Sequence, residues 1–583
     1  MSAPPKKRRA EEPSGARFRR GRARVWRPAS DPVEGPSEPH ASETPREDGR
    51  SLADFARELT DRARAKDTES IGSVLSDLGK VLGRRAKDTF DADRGLQLAM
   101  RGFIELAKSR YALDPGEQWE PGEPLKVLLA GYTGTRNTGA DVRVEEMIHQ
   151  FRHLFGDEHL EMSILTYDPE LTRGYFRTVR QLHMPKVFPR FLFDTIHEQH
   201  AVIACEGSMF KSKFADALST MMVGAIGLAS AEGKLAVGYG GEAGKMSEPL
   251  RELVRTYCRE ALIIARNEAS RGILKELGVD SRAGTDTAWT FDPDPPEVGR
   301  KILMDAGWDG VTPVLALAPI NAFWWPVKPN VSRAAVNALG GLHSDVHYGS
   351  VYFHADGAEI DDAQDAYLEG IAEGAAAFAA ETGCFIALYG SEQIDRRACD
   401  ALNEKLEARL GTPSSRGFGD LQRWPVVVSD DHDMYAMVSA MRQARWMVSS
   451  RYHACVMSMA GGTISVGVTM DERIRNLMID RGTPELALET DDPGLGPKLA
   501  RTLLDVGGRE DALRAGIDAC IVKNLERMGR MGMELVDFVK QHHPEFPFRP
   551  ELGRHGDPWE HLPRLPPAVE DVVARVRSAE AAE

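Results

Sequence analysis

Arg451 and His453 stand two residues apart in SSRYHACVMSMAGG (449–462), which then runs through small and apolar residues to a Gly pair. A guanidinium is a planar fork that matches a carboxylate or phosphate. An imidazole titrates near neutral pH and transfers protons. A core segment rarely carries both, and a surface segment rarely continues into so much apolar residue. Both requirements are met where a strand ends and a helix begins. The strand RWMVSS (445–450) would deliver the pair at its carboxyl end, with the N–H groups of the next helix aimed the same way. An interdomain hydrogen-bonded pair would account for the two residues equally well.

Other segments share this strand-then-loop form. In GYTGTRNTGADVRVEEMI (131–148), Gly134 and Gly139 have the spacing of a phosphate loop, but Ala140 stands where its lysine belongs, and no G-x-G-x-x-G occurs. This argues against an NTPase and against a dinucleotide enzyme. Asn137 and Gly139 read as anion contacts or as turn residues, and Asp141 as part of a helix start. Ser208 in EGSMF (206–210) touches a ligand or caps a helix, the commoner role. Gly240 in GYGGEAG (238–244) permits close backbone approach. Arg266, at the end of a strand in ARNEASRGILKELGV (265–279), reaches into a cleft or forms an interdomain ion pair, and Asn267 or Glu268 opens a helix.

Three weaker signals complete the set. The acids around His432 in SDDHDMY (429–435) read as helix caps rather than metal ligands. HSDVHYGSVYFHADG (343–357) interleaves His343, Asp345, His347, His354 and Asp356 without zinc spacing, which predicts a loop or extra hairpin and no metal. Trp324 and Trp325 in APINAFWWP (318–326) stack on sugars or fill an interdomain gap.

The elements that position these residues follow from the apolar runs. LKVLLAGY (125–132), LEMSILTY (160–167), AVIACEG (201–207), KLAVGYGG (234–241) and ALIIAR (261–266) are short buried strands separated by helical segments. A second series follows: TPVLALAPI, CFIALYG (384–390), WPVVVSD (424–430), RWMVSS and TISVGV (463–468), with helices over 433–444 and 471–480. Such alternation predicts parallel sheets covered on both faces, hence two doubly wound, Rossmann-like α/β lobes. The expected domains are a disordered basic and Pro-rich tail (1–50), a helical extension with its linker (51–122) and an N-terminal lobe (123–300). A C-terminal lobe (301–496), a long helical segment (497–545) that packs back across the first lobe and a Pro-rich tail (546–583) follow.

At 583 residues the chain exceeds one core, and a net charge of −15 argues against nucleic acid as the main partner. The charge is uneven: residues 1–30 hold ten Lys/Arg against two Glu. That tail reads as a nuclear signal, a tether to anionic lipid or, most plainly, a solvated tail. The most apolar stretch is interrupted by Glu232 and Lys234, so any membrane contact would be peripheral. Six scattered cysteines without C-x-x-C spacing fit a reducing cytoplasm.

From about 125 to 482 the chain resembles the polysaccharide pyruvyl transferase family. The family's Asn-x-Gly-Asp core stands as Asn137-Thr-Gly139-Ala-Asp141, one residue longer, and its Gly-Gly as Glu206-Gly207. Its G-x-G-x-G-P stands as Gly238-Tyr-Gly240-Gly241-Glu242, and its Arg-Asp…Ser as Arg266-Asn267…Ser270, with LKELGV and Asp286 following. Its Arg-Leu-His-Ala is matched by Arg451-Tyr452-His453-Ala454. Ala140, Glu206, Asn267 and Tyr452 depart from the usual family residues. The resemblance implies a GT-B-like two-lobed fold, phosphoenolpyruvate as donor, a saccharide hydroxyl as acceptor, and neither metal nor organic cofactor. It implies that Arg451 and Arg266 hold the donor's carboxylate or phosphate. It gives His453 the proton transfer, and assigns Asn137, Gly139, Ser208 and Gly240 to substrate binding. A nucleotide-sugar glycosyltransferase in the same cleft, and a degenerate glycan- or partner-binding member, are the competing expectations.

Overall fold

The computed structural model describes residues 92–330, 333, 351–550, 552 and 556–582. The predicted tail over 1–50 and the helical spacing over 51–91 lie outside the described residues.

Seven parallel strands form the first sheet: β1 (Leu125–Ala130), β2 (Leu160–Thr166), β3 (Arg180–His183), β4 (Ala201–Ala204), β5 (Leu235–Gly241), β6 (Leu262–Ala265) and β7 (Arg282–Ala283). Their order across the sheet is β3-β2-β1-β4-β5-β6-β7. The central strands are buried along their whole length because helices cover both faces, which is why they read as continuous apolar runs. One covering helix, Ala92–Tyr111, packs Met100 and Ile104 against the Asp216–Ala231 helix.

The second sheet repeats the plan. The strands β8 (Val314–Ala318), β11 (Phe385–Gly390), β12 (Val426–Val428), β13 (Trp446–Ser449), β14 (Ile464–Thr469) and β15 (Ala487–Glu489) are parallel, in the order β12-β11-β8-β13-β14-β15. A small antiparallel pair, β9 (Lys328–Pro329) with β10 (Tyr352–Phe353), stands beside it. This places a short hairpin contact at the predicted loop-or-hairpin segment, whose His343, Asp345 and His347 lie outside the described residues. Two Rossmann-like lobes facing across a cleft make the GT-B-like architecture. In each sheet the order reverses between the first strand and the fourth or its equivalent, at β1/β4 and at β8/β13. Crevices open outside the carboxyl ends of strands at such points.

Two sequence expectations are corrected. The helical segment over 497–545 is two helices, Leu495–Gly508 and Glu510–His542. Gly507 and Gly508 weaken the first, and Glu510 starts the second with its carboxylate held by the Arg445 and Trp446 side chains. The supposed Pro-rich tail after 546 is packed structure. It ends in the helix Pro567–Glu580, whose Val569, Val572 and Val573 are buried at i, i+3 and i+4 against the Glu510–His542 helix.

The long helix crosses back to the first lobe. The Gln150 amide donates to the Met528 carbonyl at 3.0 Å, and the Thr285 hydroxyl bonds Asn524 at 2.5 Å. All six cysteines are buried and unpaired. Among the described residues no helix is long and apolar enough to cross a membrane.

Candidate functional site

The loops at the two switch points carry most of the residues singled out from the sequence. The loop after β1 leads through Gly134 and Asn137 into the Thr138–Phe155 helix, and the loop after β4 holds Glu206 and Ser208. From the second lobe come Trp324 and Trp325 after β8, and Arg451 to His453 after β13. The Thr138 N–H donates to the Ser391 carbonyl at 2.8 Å, and the Tyr132 hydroxyl to Glu392 Oε1 at 3.1 Å, so the two crevices form one cleft.

Asp286 is the centre of this arrangement. It is fully buried and follows β7. Its Oδ1 accepts from the Ala288 N–H at 3.0 Å. Its Oδ2 accepts from Arg266 Nη1 at 2.8 Å and Arg143 Nη1 at 3.2 Å, and lies 3.2 Å from His453 Nε2. Arg266 reaches Glu242 Oε2 with its other nitrogen at 2.8 Å, and Lys211 reaches the same oxygen at 2.6 Å. Lys211 also bridges the lobes through Glu472 at 2.7 Å. Arg143 turns its remaining donors onto the carbonyls of Cys205, Tyr239 and Gly240. Four basic side chains thus gather on two buried carboxylates.

The electrostatics follow from that gathering. Burial alone would raise the Asp286 carboxyl, but His453, Arg143 and Arg266 outweigh it and hold Asp286 well below the usual carboxylate range. Burial likewise opposes ionisation of Glu242, and Arg266 with Lys211 reverse the effect, bringing it down to about 2. Asp141 shows the opposite. Neither of its oxygens has a hydrogen-bond partner among the described residues, and burial pushes its carboxyl far above the usual range against the pull of Arg136. Asn137 caps the helix by accepting from the Ala140 N–H at 3.2 Å, and Asp141 lies inside the first turn.

Glycines let the backbone come close. A Cβ on Gly139 would lie about 2.4–2.5 Å from His453 ring atoms, so only glycine seats the imidazole there. Gly240 has φ +65° and sits against the Thr285 carbonyl and the Arg143 guanidinium.

A cavity of about 510 Å³ opens in the cleft. Asn137, Ser208 and Arg451 lie on its wall. Arg451 carries its charge already matched: Nε donates to Asp395 Oδ2 at 2.8 Å, Nη2 to Asp395 Oδ1, and the same group pairs with Glu392 at 2.8 Å. Its partners are in its own lobe, so it forms no interdomain ion pair with them. Ser208 caps no helix; the next helix starts at Asp216 with Ala215 before it. Gly139, Gly240, Arg266 and His453 group instead around Asp286. Arg266 borders a second cavity, of about 260 Å³, with Tyr452, Asn267 and Arg473. Arg473 lies on both cavities.

The remaining readings resolve as follows. Asn267 caps the Glu268–Glu276 helix and Asp433 caps Met434–Met441. Trp325 meets Phe214 of the first lobe edge-on at 5.3 Å and also lines the large cavity. Among the described residues no cluster of His, Cys, Asp or Glu is placed to hold a metal.

Sequence reasoning passed over Arg143, Glu242 and Glu392 as site residues. Arg143 lies between Val142 and Val144 in a helix start, and an arginine there signals a buried partner only in hindsight. Tyr452 gains a reason: the Arg266 guanidinium lies over its ring at 4.5 Å.

No protein-family model and no curated protein matches the sequence. Several solved structures are similar to the chain. One is the UDP-GlcNAc 2-epimerase from Neisseria meningitidis, bound to UDP-GlcNAc, at 9% identity over 67% of this chain and 94% of that one, with a TM-score of 0.39. A trehalose-6-phosphate synthase is similar at 8% identity over 71% and 98%, TM-score 0.39. The glycotransferase of kitacinnamycin is similar at 13% identity over 73% and 100%, TM-score 0.35.

Proposed function

We propose that the chain is a transferase that moves a group from a small anionic donor onto a saccharide hydroxyl, with pyruvyl transfer from phosphoenolpyruvate as the specific reaction. One observation carries this reading. Gly139, Arg266, Asp286 and His453 come from separate segments of the family resemblance, and they meet around a single carboxylate.

In this reading the residues divide the work. Asp286 fixes the His453 ring through Nε2, and Gly139 leaves room for it. His453 protonates the donor's methylene carbon, so that C2 becomes electrophilic and takes the first acceptor hydroxyl. The second hydroxyl then displaces phosphate and closes the ketal. Arg451, on the wall of the larger cavity and matched by Asp395 and Glu392, orients the donor anion more than it neutralises it, while Arg266, which borders the smaller cavity, holds Asp286 and Glu242. Protein, phosphoenolpyruvate and candidate glycans are to be mixed, with phosphate release and the ketal methyl signal followed by NMR. His453→Ala is expected to lower turnover by about 10²-fold or more, the range of general acid–base catalysis. Full turnover in that variant sinks the assignment.

A second donor is favoured by the aromatic lining of the large cavity, which includes Tyr132, Tyr167 and Trp325. Such walls accept a nucleobase, and the reaction would then be glycosyl transfer from a nucleotide sugar. Saturable binding of a uridine or guanosine diphosphate sugar, with none of phosphoenolpyruvate, selects it.

A further inference from the structure

Glu206 ends the loop step after β4, at the switch point of the first lobe, where the resembling family has glycine. It is only 9% exposed and lines the 510 Å³ cavity. Oε1 accepts from the Ser208 N–H at 3.2 Å, while Oε2 has no hydrogen-bond partner among the described residues. An acidic oxygen buried without a donor is costly in an empty site. The fold keeps it on a mixed wall, where Tyr132, Tyr167, Phe214 and Trp325 line the same space as the charged Lys186, Glu392, Arg451 and Arg473.

We propose that Glu206 is the hydroxyl-binding carboxylate of a saccharide site in this cavity, its free oxygen accepting from the sugar's O–H groups while the ring's C–H face stacks on the aromatic wall. The inference rests on the proposed transfer to a saccharide and gives the acceptor its place. The chemistry selects the ligand class. A neutral polyol supplies several O–H donors to one carboxylate and an apolar face to the rings. Asn137 and Ser208, also on the wall, supply further polar contacts at the crevice floor.

The probes are the methyl glycosides of galactose, glucose and mannose, with binding to the full chain measured by saturation-transfer NMR and by titration of tryptophan fluorescence. At least one is expected to bind, and Glu206→Gln to weaken it tenfold or more. Glu206→Met serves as the control for folding. With no ligand it is expected to melt near the wild-type temperature, because the unpartnered Oε2 is removed while the Ser208 N–H loses its Oε1 acceptor, yet to bind no glycoside. A structural role for Glu206 predicts the reverse, a lower melting temperature with binding intact, and overturns the proposal. So does failure of all three glycosides to bind the wild type. Phosphate release from phosphoenolpyruvate is read in parallel. Glycoside binding that depends on Glu206 without phosphate release leaves this inference standing and removes the pyruvyl reading. Phosphate release without glycoside binding removes only this inference.

Discussion

At the scale of single residues, the chemistry is set by how buried charges are shared. Glu242 is ionised in the folded chain down to about 2, because Arg266 and Lys211 face it, whereas its ordinary value is 4.5. A carboxyl lowered by folding contributes stability above its unfolded value and loses it as pH falls through the folded one. The contribution, on the order of 3 kcal/mol, is therefore expected to be complete above about pH 5 and to drain between about 4.5 and 2. Urea denaturation across that range checks it. Glu242→Gln is expected to be less stable at pH 7 and to show a shallower acid slope. An unchanged slope removes the assigned cause. The residue scale is also where the sequence was least legible. Arg451 and His453 were visible as an unusual pair, but their partners Asp395, Glu392 and Asp286 lie far off in sequence, and ordinary acids carry no local mark of burial. Asp141 looked like a helix-start acid, and only the packing shows that its oxygens are without donors.

At the scale of elements, the central strands were readable because burial on both faces writes a continuous apolar run. The edge strands β3, β7 and β15 were not, being two to four residues long and partly exposed, as in the polar sequence of Arg180–His183. The Pro567–Glu580 helix was hidden behind the Pro-rich stretch that leads to it, although its valines have helical spacing. The Glu510–His542 helix is the element on which the first lobe leans. Its Met531 is fully buried between Gly240, Gly284 and the Thr285 N–H. Met531→Ala is expected to cost about 2–5 kcal/mol, the range for truncating a buried methionine. The measurement is the urea midpoint, and a change below about 0.5 kcal/mol would mean that the helix is only a surface strap.

At the scale of the molecule, the described residues from Ala92 onward belong to one compact unit, although its two large sheets are separate. The shared helix, the Lys211–Glu472 bridge and the cleft hydrogen bonds tie the lobes together. Thermal unfolding is therefore expected as one transition, with far-UV circular dichroism and tryptophan fluorescence coincident. Two resolved transitions would show that each lobe holds its own stability. The six sealed cysteines have a practical corollary for measuring how far apart those lobes stand. Burial keeps their thiols protonated and out of reach, as for Cys205 and Cys258, both pushed up to about 12, so the native chain is a near-blank background for thiol reagents. Val187 on the first lobe and Val311 on the second are 78% and 82% exposed. Val187→Cys with Val311→Cys would carry a pair of spin labels without removing any native cysteine, turning the separation of the two lobes into a distance that can be read directly, with and without ligand.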